Sequence, residues 1–320
     1  MPPGADAVVM QENTELDRRP SPPIVHIREA RVESGQNMLP RAASLRRGDI
    51  VLRAGRTLAP PDIGVLSEVG RDRVRVHASP TVAVVATGNE LVRPDQVPGP
   101  GQIRNSNGPM LCALVSGAGA KAVDLGIARD DRAELARSIR RGLEEDVLIL
   151  SGGVSMGVLD LVPAVLQEAG VEPVFHKVRL KPGKPMWFGV ALASEGNRLV
   201  FGLPGNPVSS LVCFEVFVRP ALAVLAGRPA HESPRVIARL ARRHHQRGDR
   251  PTYYPARLRD EAGAIVVEPL AWRGSADLTT LAQADGLALF PAGRACFEAG
   301  ETVTVMLLRS RVPGGGAGET

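Results

Sequence analysis

Three of the chain's four lysines, Lys177, Lys181 and Lys184, fall within eight residues, although arginine supplies almost all of its 39 cations. Compact ammonium groups at fixed spacing suit a phosphate or another oxyanion, and a solvated basic edge is the plainer reading. In Lys181-Pro182-Gly183-Lys184-Pro185 two prolines stiffen a turn and Gly183 supplies its bend. A second stretch, Ser151-Gly152-Gly153-Val154-Ser155 onward to Asp160, offers approachable backbone N–H groups, two hydroxyls and a closing carboxylate. Gly-Gly by itself fits an empty strand-to-helix turn equally well. A third, Leu203-Pro204-Gly205-Asn206-Pro207, puts an N-cap residue before a proline at the first helical position, so it aims a helix N-terminus beyond the sheet. Glu90, Asp130 and Asp160 are hard oxygen ligands of the kind Mg²⁺ takes together with substrate phosphate. Asp131 reads as a helix cap, and the six histidines are scattered.

These residues need a sheet to bring them together. Val147–Leu150 is a short, wholly apolar run, as a strand buried on both faces would be. Thr81–Ala86 is a β-branched strand running into Thr87-Gly88-Asn89-Glu90, and Lys121–Leu125 is another. Helices are expected from Asn107 and Pro109 toward Gly117, from an Asp131/Glu134 capping box to about Glu144, and from about Leu159 to Ala169. Pro173–Val178, Met186–Val190 and Leu199–Leu203 continue the sheet, followed by a helix to about Ala226, bent at Pro220. The alternation predicts a right-handed, mostly parallel, three-layer α/β domain over residues 47–228. Its strand ends lie along one edge, which gathers Thr87 to Glu90, Asp130, the Ser151 loop, the lysine turn and the Pro204 loop.

The flanks differ in character. Residues 1–46 hold only two strand-like runs, Ala5–Met10 and Ile24–Ile27, too few for an independent core. This region is expected to belong to a larger unit, completed by residues outside the chain or by a partner. Residues 229–312 carry short alternating segments (Val236–Leu240, Tyr253–Leu258, Ile265–Pro269, Ala288–Phe290, Thr302–Leu308) that predict a small β-barrel or sandwich. Gly274-Ser275 reads as a plain connection, and 313–320 as a disordered tail.

Composition narrows the class. At 320 residues and 44% hydrophobic, the chain can build real cores. The +5 charge is dispersed and aromatics are 3%, unlike a nucleic-acid surface. No run reads as a membrane span or a signal peptide, so the expected location is the cytoplasm, with neither membrane nor nucleic acid as partner. Cys112, Cys213 and Cys296 are odd in number and set in apolar segments, and read as buried thiols.

Taken together, the motifs resemble the molybdopterin molybdenumtransferase (gephyrin E-domain-like) family. The resemblance rests on Pro3 to Met10, Ser34-Gly35-Gln36-Asn37, Thr87-Gly88-Asn89-Glu90-Leu91 and Gly101-Gln102-Ile103 through Asn107. It continues through Ser151 to Gly157, Lys181 to Pro185, Leu203 to Ser209 and Gly274-Ser275. It implies insertion of molybdate into adenylylated molybdopterin with Mg²⁺ and release of AMP. It also implies a homodimer with an elongated N-terminal domain and a C-terminal β-barrel, in contact with a molybdopterin adenylyltransferase and with apo-molybdoenzymes. By matching motif, Glu90 and Asp130 would sit at the metal or molybdate, with Lys181 and Lys184 beside them in catalysis. Thr87, Gly88, Ser151, Gly152, Gly153, Val154, Ser155, Asp160, Pro182, Gly183, Pro204, Gly205 and Asn206 would bind pterin, phosphate or molybdate.

Three departures accompany the match. Ala42-Ala43-Ser44 stands where the family has Gly-Glu-Asp, which removes two carboxylates. Asn89 replaces an aspartate of many members and keeps a side-chain oxygen. Members also carry a longer N-terminal region with an Asp-Gly-Tyr stretch, so this sequence is expected to be a fragment, to start at an internal methionine, or to be a shortened paralogue. A non-catalytic molybdopterin-binding or carrier protein is the alternative, and a related adenylyltransferase, which would share only the α/β domain, is a third reading.

Overall fold

A computed structural model describes residues 1–154, 161–192, 196–230 and 233–308. Ser155, Asp160 and the 313–320 tail lie outside them. The chain divides into two compact units, Met1–Val74 and Arg75 onward.

In the first unit β1 (Thr14–Asp17) pairs antiparallel with β2 (Ile24–Ile27), and α1 spans Pro60–Glu68. Ala5–Met10, expected as a strand, is not one. It is held instead by the Ser34–Asn37 turn: Gly35 N–H donates to Asp6 O at 2.6 Å, Val8 N–H to Gln36 O at 3.0 Å, and Asn37 Nδ2 to Val8 O at 2.9 Å. These bonds run to a turn, and no neighbouring strand offers a ladder. Of residues 1–74 only Asp62 is fully buried. A unit without a buried apolar side chain has little to set against chain entropy.

The second unit is organised by a six-stranded sheet. Its strands are β3 (Thr81–Thr87), β6 (Lys121–Ala128), β7 (Val147–Ser151), β8 (Val171–His176), β9 (Trp187–Ala191) and β10 (Arg198–Leu203), in the spatial order β6-β3-β7-β10-β9-β8. Two short strands, β4 (Leu91–Val92) and β5 (Ile103–Arg104), pair beside it. The pairs β3–β6, β3–β7 and β7–β10 are parallel, whereas β9 runs against both neighbours, so the sheet is mixed at one side.

Alternation along the central strands assigns each side chain to a face. Val82, Val84, Val147 and Ile149 enter one core, with Leu111 and Val115 of α2 (Asn107–Gly117) and with α5 (Pro207–Cys213) and α6 (Arg219–Leu225). Ala83, Val85, Leu148 and Leu150 enter the other, with Leu135 and Ile139 of α3 (Arg132–Gly142) and Val162, Val165 and Leu166 of α4 (Val162–Glu168). Helices therefore cover both faces, giving three layers. Asp131 caps α3 by accepting from Ala133 N and Glu134 N, at 3.1 and 2.9 Å. The expected capping box is only half made, because Glu134 turns back to Arg129 N at 3.0 Å.

The helix expected to bend at Pro220 changes its winding earlier, in a π-turn over Phe214–Val218, which readjusts the ladder ahead of the proline. The whole run Pro207–Leu225 is long and apolar enough to cross a membrane, against the expectation that no such run exists. Most of it is buried in the core of the second unit, as an internal helix would be. At the π-turn, Glu215 is buried and accepts from Arg219 Nε at 2.6 Å, Arg219 Nη2 at 2.8 Å and Ser233 Oγ.

The C-terminal strands close a five-stranded barrel in the order β11-β14-β13-β15-β17, with β11 (Arg235–Leu240), β13 (Thr252–Glu261), β14 (Ala264–Pro269), β15 (Gly286–Phe290) and β17 (Thr302–Leu307). Helix α7 (Leu278–Ala282) and the short pair β12 (His244–His245) and β16 (Cys296–Phe297) decorate it. Among the cysteines only Cys213 is fully buried; Cys112 and Cys296 are partly exposed, and all three are free thiols. Cys296 departs furthest from expectation, because one face of the β12–β16 pair is exposed while His244 and Phe297 are buried on the other, and its thiol contacts Arg243 and Glu298.

Two buried polar groups yield expected outcomes. Arg219→Ala strands a buried carboxylate and should lower unfolding stability by about 3 kcal/mol, read from urea denaturation; Glu215→Gln combined with Arg219→Ala should recover part of it. His244 stacks on Phe290 with centroids 4.2 Å apart, and its pKa falls from 6.5 to about 4, first through burial and then through His245, Arg242 and Lys181. A depressed base is neutral in the fold, so its stabilising effect is complete above pH 6.5 and is lost as the pH drops toward 4. Between pH 7 and 5 the thermal midpoint of the wild type should fall further than that of His244→Phe.

Candidate functional site

Strands β3 and β7 are adjacent and parallel, yet the chain leaves them to opposite sides: β3 leads through α2 to β6, and β7 leads through α4 to β8. Where neighbouring connections diverge, a crevice opens outside the carboxyl ends of the strands. A cavity of about 740 Å³ lies there, lined by Thr87, Gly88, Glu90, Asp130, Ser151, Gly152, Gly153, Val154, Pro204, Gly205 and Asn206 among others.

Each wall has a local cause. Gly88 takes φ +149°, and a Cβ there would meet the Glu90 carboxylate at 2.5–2.8 Å, so the absent side chain is what lets Glu90 fold back over the loop. Asn89 and Asp130 lock the ends of β3 and β6 together: Asn89 N–H donates to Asp130 Oδ2 at 3.3 Å and Asp130 N–H to Asn89 Oδ1 at 3.1 Å. The oxygen that asparagine shares with aspartate is thus in use. Arg129 donates to Asn89 O and Leu91 O at 2.9 and 2.8 Å, fixing the same turn. Among the described residues no arginine or lysine pairs with the Glu90 or Asp130 carboxylate, so although Asp130 Oδ2 accepts from Asn89 N–H, neither negative charge is neutralised by a neighbouring cation.

On the opposite wall Gly152, at φ +101°, lies so close to β3 that a Cβ would be 2.6 Å from Thr87 O. Its N–H donates to Leu203 O at 3.0 Å, tying the end of β7 to that of β10. Asn206 occupies the N-cap position of α5, yet its side chain makes no cap bond, contrary to expectation. It remains available to the cavity.

The lysine turn lines a second hollow of about 520 Å³ with Lys181, Pro182, Gly183 and Lys184, joined to the first by Pro185, Pro204 and Asn206, which line both. Barrel residues complete it: Arg250, Tyr254, Trp272, Arg273, Gly274 and Ser275. Gly274-Ser275 is more than a connection, since Ser275 O also accepts from Val208 N at 3.0 Å. Lys181 N–H donates to Pro251 O at 2.9 Å and Tyr253 N–H to Lys181 O at 2.8 Å, so the turn hangs on β13. Four cationic side chains around one hollow suit a multiply charged oxyanion.

Sequence reasoning missed Arg250, Arg273 and Asn107. The arginines sit among many others in sequence, and only barrel closure singles them out. Asn107 was expected to begin α2, and it does, but the cap comes from Asn105, whose Oδ1 accepts from Gly108 N at 3.0 Å. Asn107 itself turns into the cavity wall, bonding Ser151 and Gly205.

Comparison with known proteins agrees with this architecture. The family described as "Probable molybdopterin binding domain" matches residues 83–224, "MoeA C-terminal region (domain IV)" residues 237–308, and "MoeA N-terminal region (domain I and II)" residues 1–70. A molybdopterin molybdenumtransferase of Bacillus subtilis is 30% identical over 97% of this chain and 71% of its own length. One from Staphylococcus aureus is 32% identical over 97% of this chain and 72% of its own length. The crystal structure of a molybdopterin biosynthesis MoeA protein from Pyrococcus horikosii superposes with a TM-score of 0.75 at 31% identity, covering 96% of this chain and 73% of that one. By sequence, by fold and by the order of its parts, the chain belongs to the molybdopterin molybdenumtransferase family.

Proposed function

We propose that this chain inserts molybdate into adenylylated molybdopterin and releases AMP, as a step of molybdenum cofactor biosynthesis. The observation that carries the reading is the junction of two hollows, one with the Glu90 and Asp130 carboxylates and a glycine loop, the other ringed by Lys181, Lys184, Arg250 and Arg273. A ligand with a ring, a phosphoanhydride and an exchanging oxyanion needs both. In this reading the backbone of Ser151–Val154 and the Pro204–Asn206 loop hold the pterin and its phosphate. The cationic hollow offsets the charge of molybdate and of the departing phosphate.

Glu90 and Asp130 fit Mg²⁺. No group of three or more His, Cys, Asp or Glu able to cage a metal occurs among the described residues, but Mg²⁺ is commonly held by one or two carboxylates plus substrate phosphate. When bound it would neutralise charge on the anhydride oxygens. The protein's own part is to place the two carboxylates on the wall facing the phosphate and to keep arginine and lysine side chains from pairing with them.

We also propose a homodimer working in the cytoplasm, passing its product to apo-molybdoenzymes and taking substrate from a molybdopterin adenylyltransferase. Exposed Leu16, Ile24, Val25 and Ile27 on the β1–β2 ribbon support association. The second reading, a molybdopterin-binding protein without turnover, is favoured by one feature: Ala42-Ala43-Ser44 forms an exposed turn with no carboxylate.

The deciding measurement is conversion of adenylylated molybdopterin by the purified chain with molybdate and Mg²⁺, read by reconstitution of a molybdenum-free apo-enzyme. Turnover that Lys184→Ala lowers at least tenfold supports the transferase; tight binding with no conversion leaves the binding protein. Removing Mg²⁺ with a chelator should stop turnover, and Glu90→Gln should raise the Mg²⁺ concentration needed for half-maximal rate by about tenfold.

A further inference from the structure

The buried carboxamide of Asn107 is fully committed on one side and empty on the other. Both protons of Nδ2 are used, one to Ser151 Oγ at 2.8 Å and one to Gly205 O at 2.7 Å. A carbonyl oxygen can only accept, so Gly205 O settles which end of the amide faces it. Oδ1 is then left buried with no partner among the described residues. An unpaired buried acceptor is costly, and a side chain kept only to fill space would not need one.

The proton count continues beyond Asn107. Ser210 Oγ lies 2.6 Å from Pro204 O and donates to it, so toward Ser151 Oγ, 3.4 Å away, it offers only lone pairs. Ser151 Oγ receives a proton from Asn107 and has a long, weak outlet toward Ser210. Without a ligand its own hydroxyl proton meets only that weak acceptor, so a stronger acceptor entering the cavity that Ser151 lines can draw it away from Ser210. We propose that Asn107 is a positioning residue: it clamps the end of β7 to the loop after β10, and by donating to Ser151 it makes that hydroxyl a hydrogen-bond donor to an anionic oxygen of the ligand. The clamp links three elements far apart in sequence, the start of α2, the end of β7 and the turn before α5. Which ligand supplies the anionic oxygen rests on the transferase reading; the clamp does not.

The test combines Asn107→Ala, Asn107→Ser, Ser151→Ala and the double variant Asn107→Ala/Ser151→Ala. The first readout is hydrogen exchange at the Gly152 amide, which needs no ligand. Exchange there should speed up about tenfold in Asn107→Ala while Val147–Leu150 keep their protection, and unchanged exchange overturns the clamp. Asn107→Ser, too short to reach both acceptors, should behave like alanine and guards against a variant that fails to fold. The second readout is affinity for adenylylated molybdopterin by calorimetry. Each single change should weaken it about tenfold and the double change no further; losses that multiply show that Asn107 does not act through Ser151. If the wild type binds but does not convert, the transferase reading fails and the coupling is still measured. If it does not bind, hydrogen exchange alone decides.

Discussion

The parallel pairing of β3 with β7 is the constraint on which the rest of the second unit depends. Both strands are buried on both faces, so neither can slide without moving every side chain of two cores. Their register puts Thr87 and Ser151 at the same sheet edge, and the glycines after Ser151 let the two loops touch. The cavity follows from that contact: α2 and α4 leave in opposite directions, and the space between them has to be walled by whatever the strand ends carry.

The α/β domain was legible because its signals are local and strong. A wholly apolar four-residue run, a β-branched strand and an arginine-rich amphipathic helix each read correctly from their own residues, and their alternation implied the sheet. The all-β character of the C-terminal region was legible through short alternating segments between turn residues, which fit a barrel or a sandwich equally; only the family resemblance pointed to the closed barrel. The lysine cluster stood out only because the chain otherwise uses arginine.

What escaped was anything decided by the partner and not by the residue. Ala5–Met10 has strand composition but finds a turn beside it. Asn206 has cap chemistry but leaves the cap of α5 unmade, while at α2 Asn105, two residues before Asn107, supplies the cap instead. Arg250 and Arg273 look like any surface arginines until β13 and the loop before α7 come round to the lysine turn. The antiparallel course of β9 likewise depends on how the turn between β8 and β9 is pinned. Composition is a poor guide to such positions because competing donors and acceptors settle them, each bond being worth little by itself.

The docking of the lysine turn on β13 gives the barrel a bearing on how this architecture can change. Sheet and glycine loops could serve a ring-shaped guest unaided, but the charged half of the site is a joint product of two folds, braced by backbone bonds that ignore side-chain identity. The barrel surface can therefore drift widely in sequence while the brace holds. A shortening or lengthening of the loop between β12 and β13, where Arg250 and Pro251 sit, would instead shift Lys181 and Arg250 together. Insertions at that loop, more than substitutions on the barrel wall, are where descendants of this architecture would reshape the cationic hollow.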